Sequence, residues 1–178
     1  MASAHSTSRW WPRTALLACA LLLGACMPAR PTSAPVEFVI ARHAEKASDD
    51  PRDPTLSAAG LARAQRLAAS LAARPLAAVY ATGYRRTRET AAATAAAHGL
   101  AVTVYDAAQD AGVFAAALRQ RHPSGTVLDE GHGNTVPAIT AALCGCTVAP
   151  VGEDEFDRRL TVRFDRKGQA TLTDVRVP

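Results

Sequence analysis

Short apolar runs that alternate with longer segments of helical pattern restrict the fold of this chain more than any other feature. Four runs have the length and composition of buried strands, at residues 36–41, 76–80, 102–105 and 126–128. Four segments with helical periodicity and helix-ending residues follow them in turn, at 57–72, 86–97, 113–121 and 135–143. Strands that alternate with helices form mostly parallel sheets covered on both faces, so the sequence predicts an α/β three-layer sandwich.

The C-terminal end of the chain has a different pattern. Apolar and polar residues alternate over 160–164, a turn follows at 165–168, and residues 169–177 have the pattern of a returning strand. These residues predict a hairpin that closes one side of the mostly parallel central sheet.

The first 25 residues have the composition of an export signal. Arg9 and Arg13 precede an apolar stretch at 15–23, which is too short to span a bilayer. The stretch ends at Leu23-Gly24-Ala25-Cys26, which resembles a bacterial lipobox, whose cysteine is acylated and becomes the new N-terminus. We therefore expect a lipoprotein signal peptide at 1–25 and lipidation of Cys26; an ordinary signal peptide is the alternative.

The segment after Cys26 is short and rich in proline. Residues 26–35 are expected to form a tether between the lipid and a domain at 36–178. Met27 follows the cysteine, and by resemblance to sorted lipoproteins this favours the periplasmic side of the outer membrane in a bacterial cell envelope. The membrane is thus an expected partner, through the lipid on Cys26.

Charge and cysteine content narrow the function further. Without Arg9 and Arg13, the chain has 18 of its 20 basic residues and 16 acidic residues, so its net charge is small. It contains no basic run of the kind that binds nucleic acid, so nucleic acid is not expected as a partner. If Cys26 carries lipid, Cys144 and Cys146 are left in the domain, either as a disulfide or as two thiols. The sequence carries no signal of oligomeric state.

Polar residues follow three of the predicted strands. They are Arg42-His43, the segment 82–86 and the segment 132–134. Reactive residues of parallel sheets collect at the carboxyl ends of the strands, so these three sets can meet at one site.

Four sequence blocks, in order, resemble the histidine phosphatase superfamily, in the branch that contains phosphoglycerate mutase. Arg42-His43-Ala44-Glu45 resembles the R-H-G/A-E opening, and 56–64 is similar to the L-T-x-x-G-x-x-Q-A helix start. Residues 80–91 resemble the S-x-x-x-R-A-x-Q-T-A block, and 131–136 resemble G-H-x-x-x-I/V. The resemblance implies a phosphoglycerate mutase-like fold and a phosphatase that forms a transient phosphohistidine.

The family roles carry over onto four residues. By resemblance His43 is the nucleophile, Arg42 and Arg86 hold phosphate oxygens, and a protonated His132 holds a third oxygen. This set suits the chemistry, because a phosphate dianion repels nucleophiles until cations neutralise it. Guanidinium groups bind phosphate with two parallel hydrogen bonds, which lysine cannot do.

The group that protonates the leaving alkoxide is less well marked. Asp106, after the third strand, is the preferred catalytic acid, and Glu45 beside the nucleophile is the second choice. Glu45 is also expected among the substrate-binding residues. Thr82 occupies the serine position of its block, where it either contacts substrate or caps a helix.

Two departures from the family pattern bear on activity. The strand before His132 ends in Asp129-Glu130, which either point into the pocket and repel phosphate or lie at its rim. The chain also lacks the long insertions with which sugar-phosphate mutases enclose their substrates, which favours an open site and hydrolysis.

Three other functions compete with hydrolysis by a histidine nucleophile. His43-Ala44-Glu45 resembles the H-x-E of zinc deaminases, but the chain lacks their P-C-x-x-C. A phosphate-binding envelope lipoprotein with weak catalysis and a cofactor-independent mutase are the other two. The sequence favours a hydrolase of small phosphomonoesters or phosphoramidates that needs no metal or cofactor.

Overall fold

A computed structural model of the chain describes Met1 and residues 35–177. Apart from Met1 and Pro35, the predicted signal peptide and tether, including Cys26, lie outside the described residues. Residues Thr32–Pro178 form one compact unit, and a unit with its own core can fold alone. Among the described residues, no helix is long and apolar enough to cross a membrane.

The described residues contain six strands in one sheet. The strands are β1 (Val36–Arg42), β2 (Leu76–Thr82), β3 (Val102–Tyr105), β4 (Gly125–Gly131), β5 (Arg158–Phe164) and β6 (Ala170–Arg176). Their order across the sheet is β3-β2-β4-β1-β5-β6. The first four strands are parallel, and the hairpin of β5 and β6 is antiparallel, with β5 paired to β1. The predicted mostly parallel sheet with a closing hairpin is confirmed.

Four helices connect the strands. They are α1 (Ala58–Leu71), α2 (Arg85–Ala97), α3 (Ala111–Arg121) and α4 (Thr135–Cys144). Ser57 caps α1, since its side chain accepts a hydrogen bond from the backbone N–H of Gly60 at 3.1 Å. Asp110 caps α3 in the same way, which starts this helix two residues before the predicted position.

The helices cover both faces of the sheet and so form the predicted three layers. On one face, α1 and α2 bury Leu71 and Ala91 against Val39, Val79 and Leu128. The other face carries α3 and α4, whose apolar residues pack with Phe38, Ile40 and Val127. The main core therefore lies within the mostly parallel part of the sheet, directly below the carboxyl ends of its strands.

The fourth strand is longer than the sequence predicted. It continues through Asp129 and Glu130, which are 1% and 0% exposed and lie in register with Ile40 and Ala41 of β1. The expectation that these carboxylates lie in the pocket or at its rim is wrong, because the strand directs them into the two protein layers. The full length of β4 was missed because two acidic residues interrupt the apolar run of a strand that is buried on both faces.

The two cysteines of the domain are bonded to each other. A disulfide joins Cys144, the last residue of α4, to Cys146, and Gly145 between them adopts the left-handed conformation (φ 64°) that ends the helix. This settles the choice between a disulfide and two thiols. The sulfurs are then not available as the thiolate ligands that a zinc deaminase needs.

Candidate active site

The carboxyl ends of three neighbouring strands carry the predicted catalytic residues. Arg42 ends β1, His43 follows it, His132 follows β4, and Arg86 lies in the first turn of α2 just after β2. The backbone N–H of His43 donates to the carbonyl of Gly131 at 3.0 Å, which joins the chain after β1 to the end of β4. The sheet order places these strands side by side, so residues distant in sequence reach one point.

One cavity contains all four of these side chains. Its lining consists of Arg42, His43, Lys46, Tyr84, Arg86, Ala107, His132, Gly133, Asn134 and Glu153. The cavity contains three cationic side chains, two imidazoles and a single carboxylate. This excess of cationic groups suits the cavity to an anion.

His43 is held as a neutral ring with one unprotonated nitrogen. Its side chain is buried, and its Nδ1 lies 2.8 Å from the backbone carbonyl of Ala44, an acceptor, so Nδ1 carries the proton. The Nε–H of Arg86 donates to Nε2 at 3.2 Å. Burial, together with the charge of Arg86, lowers the pKa of His43 to about 4. Nε2 is therefore an unprotonated nitrogen inside the cavity at neutral pH.

Arg42 is fixed by a segment far along the chain. Its guanidinium donates to the carbonyls of Gly152, at 2.6 Å, and Glu153, and it lies 4.6 Å from the ring centre of Phe156. Burial lowers the pKa of Arg42, while the charge of Glu153 opposes that effect. The acidic segment 149–157 thus orients one of the two cavity arginines.

Arg158 anchors that segment in turn. This buried arginine donates to the carboxylate of Asp174 and to the carbonyls of Ala149 and Pro150. The start of the 149–157 segment is therefore bound to the β5–β6 hairpin, and a rigid frame supports Arg42.

Arg86 is held over an aromatic ring. Its guanidinium carbon lies 4.5 Å from the ring centre of Tyr84, and its NH1 lies 3.8 Å from Asp53. Asp53 also accepts the backbone N–H of Arg85 at 2.8 Å, at the start of α2. Asp53 and Tyr84 together aim Arg86 into the cavity.

His132 is bonded to the predicted substrate-contact residue Thr82. Nε2 of His132 and Oγ1 of Thr82 are 2.8 Å apart. Burial, with the charges of Arg86 and Arg42, lowers the pKa of His132 to about 4. The ring is therefore neutral in this structure, whereas the resemblance implies an imidazolium when phosphate is bound.

Three predicted site residues do not line the cavity. Thr82 is 0% exposed, and its hydroxyl is taken by His132 and Thr87, so it reaches neither substrate nor a helix end. Glu45 forms a two-pronged ion pair with Arg63, which holds the pKa of that carboxyl low. Asp106 is exposed, faces a neighbouring groove, and accepts the backbone N–H of Ala108 at 2.9 Å.

Four polar residues of the cavity were given no individual role from the sequence. They are Lys46, Tyr84, Asn134 and Glu153. Tyr84 and Asn134 lie in the polar segments 82–86 and 132–134 that were expected to meet at one site, and Lys46 directly follows the first matched block. Glu153 lies in a segment between α4 and β5 whose acidic composition is typical of a solvated loop, so nothing local indicated its place.

The family comparison covers the first half of the domain. A family model described as the histidine phosphatase superfamily (branch 1) matches residues 38–112, which include Arg42, His43 and Arg86. A search of curated proteins gave no match.

Solved structures extend the likeness over the whole fold. The mycobacterial glucosyl-3-phosphoglycerate phosphatase is 16% identical with a TM-score of 0.65, covering 81% of this chain and 100% of that one. The protein histidine phosphatase SixA, complexed with tungstate, is 20% identical with a TM-score of 0.65, covering 79% and 96%. Phosphoserine phosphatase from Entamoeba histolytica, with 3-phosphoglyceric acid, is 14% identical with a TM-score of 0.61, covering 80% and 98%.

The matched model and the shared fold agree with the arrangement of the strand ends. The matched residues 38–112 include Arg42, which ends β1, His43, which follows it, and Arg86 in the first turn of α2. The chain thus matches the histidine phosphatase superfamily (branch 1) over residues 38–112, and it shares its fold with solved phosphatase structures along most of its length.

Proposed function

We propose that the protein hydrolyses small phosphomonoesters or phosphoramidates through a phosphohistidine on His43. The observation that carries this proposal is the single cavity in which a neutral His43, two arginines and a second histidine converge. The match of residues 38–112 to the histidine phosphatase model supports hydrolysis of phosphate esters, and three structurally similar proteins are described as phosphatases.

The reaction takes two displacements at phosphorus. Nε2 of His43 attacks with its lone pair, the bond from phosphorus to the leaving group breaks, and the leaving group departs with that electron pair and takes up a proton. Water then attacks the phosphohistidine, the phosphorus–nitrogen bond breaks, and inorganic phosphate is released. The Nδ1–H of His43, donated to the Ala44 carbonyl, stabilises the positive charge that develops on the ring.

Arg42 and Arg86 neutralise the phosphate oxygens during both displacements. Their orientation is fixed before substrate binds, by carbonyls for Arg42 and by Tyr84 and Asp53 for Arg86. Preorganised cations of this kind stabilise the transition state without reorganising as charge develops. Binding of the phosphate group must displace the contact of Arg86 with Nε2 of His43, which frees the nucleophile when the substrate is in place.

The experiment measures phosphate release from p-nitrophenyl phosphate by residues 32–178, in the presence of EDTA and with vanadate as inhibitor. Vanadate mimics five-coordinate phosphorus, so micromolar inhibition is the expected sign of this pocket. Arg86→Ala is expected to lower kcat/KM by roughly 10²–10³-fold, because it removes a preorganised donor. Arg88→Ala is the matched control, since Arg88 is exposed on the same helix and outside the cavity lining. Equal losses in the two variants, or activity abolished by EDTA, would contradict the proposal.

A phosphate-binding lipoprotein with little catalysis is the second candidate. Its support came from Asp129 and Glu130, and the structure buries both away from the cavity lining. Vanadate binding without measurable turnover would favour this candidate over the enzyme.

We also propose that the protein is lipid-anchored at the bacterial cell envelope through Cys26, after removal of residues 1–25. The support is the lipobox-like sequence Leu23-Gly24-Ala25-Cys26 and the apolar stretch before it. Cys26→Ser is expected to abolish incorporation of radiolabelled palmitate and to move the protein from the membrane fraction to the periplasmic fraction. Cys19→Ser, in the same signal segment, is the control and should leave both unchanged. Labelling that persists in the Cys26 variant would contradict the anchor.

A further inference from the structure

A chain of hydroxyl groups lies behind His132, outside the cavity. Oγ1 of Thr82 lies 2.8 Å from Nε2 of His132 and 2.8 Å from Oγ1 of Thr87. The hydroxyl of Thr87 in turn lies 3.0 Å from the carbonyl of Thr82 and 2.8 Å from that of Tyr84. Both threonine side chains are 0% exposed, so water does not compete for these contacts.

Counting protons assigns the direction of each bond. Carbonyl oxygens only accept, so the Thr87 hydroxyl must donate its single proton to them. Thr82 then donates its proton to Thr87, which leaves only the lone pairs of Thr82 for the imidazole. Nε2 of His132 must therefore be the donor in its contact with Thr82. If Thr82 instead donated to Nε2, the single proton of Thr87 would leave either the 2.8 Å contact between the two threonine oxygens or the 2.8 Å contact with the Tyr84 carbonyl without a proton, a repulsive contact in a buried place.

The other nitrogen of the ring has a different environment. Among the described residues Nδ1 of His132 has no hydrogen-bond partner, and it is not one of the buried unpaired polar atoms. The ring itself lines the cavity. In a neutral ring that carries its proton on Nε2, the lone pair of Nδ1 is therefore exposed to the cavity.

We propose that Thr82, supported by Thr87, is a positioning residue that keeps His132 in the Nε2–H tautomer, so that Nδ1 accepts a proton when the phosphate group binds. The inference rests on the proposed function for its catalytic meaning, since the proton matters only if phosphate occupies the cavity. The tautomer itself is a property of the empty site and is measurable without any activity.

The proton comes from the substrate. When a monoester monoanion enters, the proton of its P–O–H moves to the Nδ1 lone pair, and the O–H electron pair stays on the phosphate oxygen. His132 becomes an imidazolium that donates Nε2–H to Thr82 and Nδ1–H to the phosphate group. The same proton can then pass to the leaving oxygen as its bond to phosphorus breaks. This route provides a leaving-group acid where neither Glu45 nor Asp106 lines the cavity.

The groups around His132 favour this behaviour. The titratable and charged side chains that share its cavity are Arg42, His43, Lys46, Tyr84, Arg86 and Glu153. The charges of the two arginines disfavour a proton on His132 while the cavity holds no anion. A bound phosphate group offsets those charges and provides the proton at the same time.

The first test is nitrogen-15 NMR of the histidine rings in residues 32–178 at pH 7, which distinguishes the two neutral tautomers. The wild-type protein is expected to show His132 as the Nε2–H form, identified by loss of its signals in His132→Asn. Thr82→Ser should retain this form, whereas Thr82→Val should give a mixture of tautomers. Thr94→Val is the matched control. Thr94 is a buried threonine on the same helix as Thr87, and among the described residues the Thr94 hydroxyl has no hydrogen-bond partner. Finding the Nδ1–H form in the wild-type protein overturns the inference.

The second test measures binding of inorganic phosphate between pH 7.5 and 9 by calorimetry. Uptake of one proton predicts that the Kd rises by about tenfold per pH unit in the wild-type, Thr82→Ser and Thr94→Val proteins. In Thr82→Val the rise should fall below about threefold per pH unit, because Nδ1–H can then donate directly to the dianion. If the change of Kd with pH is the same in Thr82→Val as in the wild-type protein, the inference is overturned, even when the protein is an active phosphatase. If the His132 tautomers are as expected but the protein does not turn over phosphate esters, that result contradicts the proposed function and not the inference about the tautomer.

Discussion

His43→Ala is expected to lower kcat/KM for p-nitrophenyl phosphate by roughly 10⁴-fold or more, the largest loss of activity for any single substitution. The side chain supplies the attacking nitrogen, and within the described residues the cavity offers no second nucleophile in an equivalent position. His132 does not replace it, because its Nε2 is bonded to Thr82 and its Nδ1, by the inference above, takes up the proton of the phosphate group. The loss should appear in kcat, since Arg42, Arg86 and His132 still bind the phosphate group.

A labelling experiment separates this nucleophile from a merely structural histidine. Rapid quenching with a phosphorus-32 substrate should give an acid-labile, base-stable protein phosphate in the wild-type protein and none in His43→Ala. His98→Ala is the control, because His98 caps the far end of α2, about 20 Å along the helix from Arg86. Equal turnover or equal labelling in His43→Ala would remove the phosphohistidine mechanism.

The sequence predicted the arrangement of Arg42, His43, Arg86 and His132 because their positions depend on regular structure. Apolar runs of strand length end directly before Arg42-His43 and a few residues before Arg86 and His132, and parallel strands present their carboxyl ends at one edge. The register of β1 with β4 then brings Arg42 level with Gly131, one residue before His132. Local pattern and sheet topology were sufficient for this part of the site.

The parts that were missed depend on contacts between distant segments. Glu45 follows the nucleophile in sequence, but its partner Arg63 lies on α1 and draws the carboxylate away from the cavity. Arg42 is oriented by carbonyls more than a hundred residues further along the chain. Such contacts leave no periodic trace in the sequence, so neither could be predicted from spacing.

Asp129 and Glu130 are a second case in which contacts between distant segments override the local sequence pattern. Acidic residues rarely occupy buried strand positions, so their presence indicated a strand end. The apolar runs on both neighbouring strands extend level with them, to Ala41 of β1 and Ala81 of β2, and this pairing holds β4 in the sheet despite the cost of burying two carboxyl groups.

Asp129 should make the fold less stable as the pH rises. Burial raises its pKa to about 7 from the ordinary 3.8, although Tyr105 donates a hydrogen bond to it at 3.4 Å. The folded state therefore holds the proton more tightly than the unfolded chain. The stabilisation that this proton provides is fully present below about pH 4 and is lost as the pH rises through about 7. The difference between the two pKa values corresponds to about 4 kcal/mol of unfolding free energy as an upper limit.

Asp129→Asn removes this titration while keeping the shape of the side chain. In urea unfolding of residues 32–178, the variant is expected to be more stable than the wild-type protein by about 2–4 kcal/mol at pH 8 and to lose this advantage near pH 4. The control is Asp154→Asn, because Asp154 is exposed, and it should follow the wild-type curve at both pH values. An Asp129→Asn protein that is less stable than the wild type at pH 8 would show that the carboxylate, once ionised, has partners that compensate for its burial.

Glu130 requires a different substitution, because neither of its carboxyl oxygens has a hydrogen-bond partner among the residues that the structure describes. Burial and the neighbouring Asp129 raise its pKa well above the ordinary value, so the group is neutral and still leaves polar atoms unpaired. Glu130→Met fills a similar volume without those atoms and is expected to stabilise the fold by about 1–3 kcal/mol at pH 5 as well as at pH 8. Asp129→Asn acts only where Asp129 ionises, so the pH dependence of the two variants separates the cost of a buried charge from the cost of an unpaired polar group. A gain for Glu130→Met that vanishes at pH 5 would mean that Glu130 also ionises in the folded protein.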